Sequence, residues 1–306
     1  MARNIDFRAN GKLLISGEYL VLAGAKALAL PLKFGQQIHI KEISDQVIRW
    51  TSSQPEGIWF SCELDPFEFN VLTSENPVSS KLSALVKATQ QLTPSFHNSR
   101  TGLTVNVEAN YPVKWGLGSS STLISLIAQW AGINPFTLFR TVSEGSGYDI
   151  ACADHSKMIF YQLNGNEPEI TETKPGPALS EFSYFVSLGN KQDTRKEVNS
   201  FLKNNRISPG DIDMISHLSV QICNARNYDD LVLFVREHES ILERILGRKL
   251  LNERFKEFPG TVKSLGAWGG DFAMFVTDLD PVSARKELTK SGLTDVFTFD
   301  EIKADQ

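Results

Sequence analysis

The sequence predicts an α+β protein built as two halves. Its 306 residues suffice for about two domains of ordinary size. The first half sets alternating apolar segments ahead of one almost wholly apolar helix. The second half reads strand, helices, strand, helix, strand, an α+β order. Between them Asn164 to Ser180 is rich in Pro, Gly, Glu and Thr, and reads as a domain boundary or an exposed hairpin loop. It divides residues 1–175 from 176–306.

Each element follows from its local pattern. Leu13 to Ser16 and Tyr19 to Leu22 read as strand or buried turn around Gly17, and Ala27 to Leu32 is apolar up to Pro31. Gln37 to Ile43 and Val47 to Trp50 alternate, as strands do. Ser80 to Leu92 carries Leu82, Leu85, Val86 and Thr89 at helical spacing. Leu103 to Val107 is an alternating strand. The helix from about Ser120 to Ala131 is apolar on nearly every side, so it belongs inside a domain, and Gly132 can close it. Ile159 to Leu163 and Tyr184 to Leu188 read as strands. Two helices follow, through Ile212–Ile222 and Leu231–Ile245, the second closed by Gly247. A Gly-rich turn at Gly266 to Gly270 precedes a strand at 272–277, a helix at 282–290 and a strand at 296–299.

Composition removes several classes of function. The net charge of -5 argues against bulk binding to nucleic acid, which needs a basic face. No apolar run reaches a membrane span, and Met1 to Asp6 has no signal-peptide core, so a cytoplasmic protein is expected, with no membrane partner. Cys62, Cys152 and Cys223 lie far apart without C-x-x-C spacing, which argues against a disulfide framework or structural zinc. The five histidines form no H-E-x-x-H pair and read as surface or packing residues.

The chemistry gathers at Tyr111 to Ala128. A proline-led loop with Gly116 and Gly118 runs into Ser119, Ser120 and Ser121 and then the apolar helix. Glycines let the backbone approach a ligand, and a helix start offers unpaired N–H groups at the positive end of its dipole. Together they favour an anion, typically phosphate, with serine hydroxyls for its oxygens or for a metal ion. The plain alternative is an ordinary helix cap. Neither a Walker A loop nor a complete dinucleotide fingerprint is present.

Three ordered segments together resemble the GHMP kinases. The first, Asn10 to Gly24, fits P-G-K-x-x-L-x-G-E-[HY]-x-V-x-x-G through Gly11, Lys12, Leu13 or Leu14, Gly17, Glu18, Tyr19, Val21 and Gly24, with Asn10 in place of proline. The second fits P-x-x-x-G-L-G-S-S through Pro112, Gly116, Leu117, Gly118, Ser119 and Ser120. The third fits G-A-G-G-G-[GD] through Gly266, Ala267, Gly269, Gly270 and Asp271, with Trp268 replacing a glycine. Gly147 to Ala153 and Ser187 to Val198 are similar to stretches of phosphomevalonate and mevalonate kinases.

The resemblance implies a two-domain GHMP-kinase-like fold, its N-terminal domain ribosomal-S5-domain-2-like and its C-terminal domain ferredoxin-like. It implies an ATP-dependent kinase acting with Mg2+ on mevalonate or phosphomevalonate, a small anionic substrate, and it admits a homodimer. Asp149 is then the catalytic carboxylate and Lys12 its cationic partner. Lys114, Gly116, Leu117, Gly118, Ser119, Ser120 and Ser121 hold ATP phosphates. Glu18, Tyr19, Ser146, Thr194, Arg195, Gly269, Gly270 and Asp271 face the substrate, with Lys191 near them. Ser120 and Glu144 are the metal ligands. For Glu18 the alternative is a buried structural acid.

Two departures qualify this picture. Trp268 adds bulk to the third loop. Many relatives carry an acidic metal ligand about three turns ahead of the aspartate, where this chain has Phe139 between Leu138 and Arg140. Alternative readings are a relative with a sugar or homoserine acceptor, a diphosphomevalonate-decarboxylase-like enzyme, or a catalytically silent ligand-binding member.

Overall fold

The computed structural model describes residues 4–97, 101–189, 207–247, 251–266 and 271–305. They form two compact units that interleave along the chain. The first takes the described residues of Met1–Gly11, Phe34–Val113 and Gly118–Asp154. The second takes those of Lys12–Lys33, Lys114–Leu117 and His155–Gln306. Two long strands, β1 (Asn4–Ser16) and β2 (Ala27–Ile43), contribute residues to both.

In the first unit, residues 36–43 of β2 pair antiparallel with β5 (Gly102–Ala109). β5 pairs parallel with β3 (Ile48–Gln54), and β3 pairs antiparallel with β4 (Gly57–Leu64). Alternation on β5 sends Leu103, Val105 and Val107 inward, as its period-2 pattern requires. Against that face pack α1 (Pro77–Leu92), α2 (Ser119–Ala131), α3 (Pro135–Val142) and α4 (Tyr148–Asp154), through Leu82, Val86, Leu126, Ile127, Leu138 and Ile150. Helix α1 starts before Ser80 because Asn76 accepts bonds from the Val78 and Ser79 amides and Pro77 fills the first turn. Gly132 closes α2 in the left-handed region, donating to the Ala128 and Gln129 carbonyls.

In the second unit, residues 27–29 of β2 pair with β6 (Ile159–Asn164), and β6 forms a hairpin with β7 (Glu167–Glu172). The segment 164–180 is thus a hairpin tip and return strand, followed by the short helix α5 (Pro177–Glu181). A four-stranded antiparallel sheet combines β8 (Ser183–Ser187), β9 (Thr261–Leu265), β10 (Phe272–Val276) and β11 (Val296–Thr298) in the order β11-β8-β10-β9. Counted within this sheet the order is 4-1-3-2. Helices α6 (Pro209–Asn224) and α7 (Tyr228–Leu246), with the short α8 (Leu251–Arg254), lie between its first and second strands, and α9 (Pro281–Lys290) between its third and fourth. That is the ferredoxin-like arrangement. The described residues contain no helix long and apolar enough to cross a membrane.

Candidate active site

The first unit supplies a helix start and a carboxylate. Helix α2 has Gly118 as its N-cap, at φ 95, and among the described residues no side chain caps the first turn. The Ser121 and Thr122 amides both donate to the Gly118 carbonyl at 3.0 Å. An uncapped start on a 13-residue helix leaves backbone N–H groups and the positive dipole end for an anion. Ser121 is buried, and its Oγ donates to Asp149 Oδ2. Asp149 lies in the first turn of α4, half-buried, with Oδ1 accepting from the Ile150 amide at 3.1 Å. The helical turn thus aims the third serine at the carboxylate, while Ser119 is half-buried and Ser120 exposed. Thr122 fixes the next position by donating to Gln36 Oε1 at 2.6 Å.

The loop between α3 and α4 carries Glu144, exposed, and Ser146, half-buried. Phe139, at the place of the missing acid, is packed in the core. Among the described residues no three His, Cys, Asp or Glu side chains cluster to hold a metal ion. Asp149 with the Ser121 hydroxyl still suits Mg2+, which binds through one or two carboxylates, waters and substrate phosphates rather than through an all-protein cage.

The second unit brings together pieces of all three motifs. Lys12, half-buried on β1, donates its backbone N–H to the Leu117 carbonyl at 3.0 Å. Trp115 is buried, with its ring edge-on to Phe272 and Phe297 at centroid distances of 6.1 and 5.5 Å. Lys114 is exposed and Leu117 buried. Gly116 has φ +73, and a side chain there would run into the Asp271 carboxylate. Gly116→Ala is therefore expected to cost about 1–3 kcal/mol of stability from the left-handed backbone alone. It should also displace Asp271. Thermal melting and nucleotide titration of the variant check both effects. Thr194, Arg195, Lys191, Trp268, Gly269 and Gly270 lie outside the described residues.

Two residues expected at the substrate are buried. Tyr19 packs in an apolar cluster with Leu20, Ile215, Leu218 and Leu242, so its ring is taken up by the core. Glu18 is a buried acid, 1% exposed. Its Oε1 accepts from Lys263 Nζ at 2.5 Å. Lys263 also lies 3.3 Å from Glu239 Oε1, and His238 Nε2 lies 3.4 Å from Glu18 Oε2. His238, Glu239 and Lys263 are each 0% exposed. A buried carboxylate is tolerated when paired, and Lys263 is the one cation among these four residues. Burial pushes the Glu18 carboxyl up to about 7 against the pull of Lys263. Burial, then Lys263, pushes the His238 imidazole down to about 4. Burial alone would raise Glu239, but Lys263, His238 and the Ser264 amide together hold it below the usual carboxylate range.

No family model matches the chain, and no curated protein matches it. Solved structures do. The Methanococcus jannaschii mevalonate kinase is 16% identical, with 99% of each chain covered and a TM-score of 0.71. The Streptococcus pneumoniae phosphomevalonate kinase, in complex with phosphomevalonate and AMPPNP, is 16% identical over 96% of this chain and 98% of that one, with a TM-score of 0.69. A D-glycero-D-manno-heptose 1-phosphate kinase from Bacteriodes thetaiotaomicron is 13% identical over 100% and 97%, with a TM-score of 0.68. The chain therefore has the fold of the GHMP kinases, the family its three loops resemble.

Proposed function

We propose that the chain is an ATP-dependent small-molecule kinase of the GHMP type, with mevalonate or phosphomevalonate as its acceptor. The observation that carries this reading is the Ser121–Asp149 hydrogen bond at the foot of an uncapped helix. Phosphoryl transfer asks mainly for positioning and charge neutralisation. The α2 start binds the phosphates through its amides. Asp149 accepts the acceptor's hydroxyl proton as that oxygen bonds to the γ-phosphorus and the bond to the β–γ bridging oxygen breaks, releasing ADP. For a phosphate acceptor it orients the attacking oxygen instead. Ser121 holds Asp149 in its rotamer, and Lys12 steadies charge on the transferred group. Mg2+, when bound by Asp149, a serine hydroxyl and ATP oxygens, supplies further neutralisation of the phosphates.

A phosphomevalonate kinase with phosphomevalonate and an ATP analogue among the similar structures supports the acceptor class. The heptose 1-phosphate kinase favours a sugar phosphate as the second reading. The test incubates the purified chain with Mg-ATP and, separately, mevalonate, phosphomevalonate, a sugar 1-phosphate, homoserine and diphosphomevalonate, following ADP release and product phosphorus by NMR. Turnover on either of the first two compounds is the expected result. Turnover confined to the sugar phosphate would replace the acceptor. ATP binding without turnover on any compound would overturn the enzyme reading in favour of a ligand-binding protein.

A further inference from the structure

In the buried quartet of Glu18, His238, Glu239 and Lys263, one carboxylate oxygen, Glu18 Oε2, has no donor facing it among the described residues. The Gly17 amide donates to His238 Nε2 at 3.2 Å, so that nitrogen is an acceptor and the ring proton sits on Nδ1, which faces Glu239 Oε1 at 3.7 Å. Yet Glu18 Oε2 faces the same nitrogen at 3.4 Å and has no hydrogen-bond partner among the described residues. Two acceptors face each other where no solvent reaches them. Charge gives the same answer, since two carboxylates surround one ammonium. One added proton on Glu18 Oε2 satisfies both counts. It turns the contact into an O–H···N hydrogen bond, with the Nε2 lone pair shared between Glu18 and the Gly17 amide, and makes the cluster neutral.

The groups facing this proton come from three elements. The turn after β1 gives Glu18, α7 gives His238 and Glu239, and β9 gives Lys263. The Ser264 amide donates to Glu239 Oε2 at 3.2 Å, and Lys263 Nζ donates to the Ser264 carbonyl at 3.0 Å. Helix α6 faces the turn with uncharged groups, Ile215, Leu218 and a Ser16 Oγ to Ser219 Oγ hydrogen bond at 2.7 Å. The cluster therefore ties the end of the Lys12 strand to the strand that leads towards Asp271.

We infer that Glu18, His238, Glu239 and Lys263 are positioning residues for the proposed reaction, with Glu18 keeping a proton that it donates to His238 and so locking the Gly17–Tyr19 turn onto β9. The catalytic consequence rests on the kinase reading; the bound proton does not. The elevated Glu18 and depressed His238 ionisations agree with this distribution.

The test reads melting temperature against pH, which needs no activity. A folded Glu18 keeps its proton up to about 7, whereas the unfolded carboxyl releases it near 4.5, so its contribution to stability is present at low pH and lost as pH rises through about 7. His238 acts in the opposite sense. Neutral in the fold down to about 4 but titrating at 6.5 when unfolded, it gives stability that is present above 6.5 and lost as pH falls through about 4. Between these limits the two slopes oppose each other. Glu18→Gln should leave the His238 slope exposed, so its melting temperature rises with pH relative to wild type. His238→Gln should tilt the other way. The amide of Glu18→Gln can donate to His238 Nε2 as the acid does, which favours a folded variant. If its curve runs parallel to that of wild type, the proton is not on Glu18 and the inference falls. In the kinase assay, wild-type kcat/KM should fall as pH rises through about 7 while Glu18→Gln stays level. Equal pH profiles with unequal melting slopes would leave the proton in place but remove its positioning role. Absence of turnover would defeat the kinase reading and leave the melting result to decide the proton.

Discussion

Asp149→Asn should lower kcat by about a hundred- to ten-thousand-fold with any acceptor the protein uses, the range lost with a general base. Asparagine has nearly the same shape, and its carbonyl oxygen can still accept the Ser121 hydroxyl bond that now goes to Asp149 Oδ2. The Ile150 amide bond can also persist only if the side chain reorients, a small local change. The melting temperature should therefore stay near that of wild type while turnover collapses. Affinity for nucleotide without Mg2+ should change little, because the phosphate site rests on backbone amides of α2 rather than on the carboxylate. Steady-state kinetics beside thermal melting separate the two properties. A variant with wild-type kcat would remove Asp149 from the chemistry. A variant that lost turnover only because it unfolded would assign Asp149 to the fold.

Lys263→Met has the largest expected effect on stability. The change keeps an unbranched chain of similar length but removes the cation that Glu18 and Glu239 share. Taking one partner from a buried ion pair typically costs about 3–5 kcal/mol, because the remaining charge stays desolvated. Acid should recover part of that loss. Without Lys263 both carboxyls hold protons to higher pH in the fold than in the open chain, so stability is greatest in acid and drops as pH rises. Melting curves at pH 5.5 and pH 8 should therefore differ more for the variant than for wild type. A wild-type melting temperature at pH 8 would mean that the cluster is not as dry as the structure places it.

These two residues also mark what the sequence makes legible and what it hides. Asp149, Lys12 and the Gly116–Ser121 loop stand in short local patterns, and the strand β5 and helix α2 beside them announce themselves by period and composition. Local pattern suffices there because the physics is local: alternation for one sheet face, a cap for one helix end. Lys263 has no such signal. A lysine at the centre of Thr261–Leu265 reads as solvent-facing, since lysines are almost never fully buried unless paired. Its partner Glu18 stands 245 positions away, so strand β9 is missed together with the pairing that permits it. β4 is hidden for a different reason. Ile58 and Trp59 are 69% and 40% exposed, which spoils the alternation that would have revealed the strand. The three serines show the limit inside the motif itself. Composition names the triple, but only the turn of α2 shows that Ser121, rather than Ser120, meets the carboxylate.

The interleaving of the two units sets an order of assembly during synthesis. Every segment of the first unit has been synthesised once Asp154 is added, so that unit can close before the second is complete. Residues 12–33 belong to the second unit and must wait for chain that follows. At about 5–20 residues per second, the 245 positions between Glu18 and Lys263 take about 12–50 s to translate. For that interval the nascent chain carries an acid with no counter-ion and a turn with nothing to lock onto, and the last strands synthesised complete what the first one began.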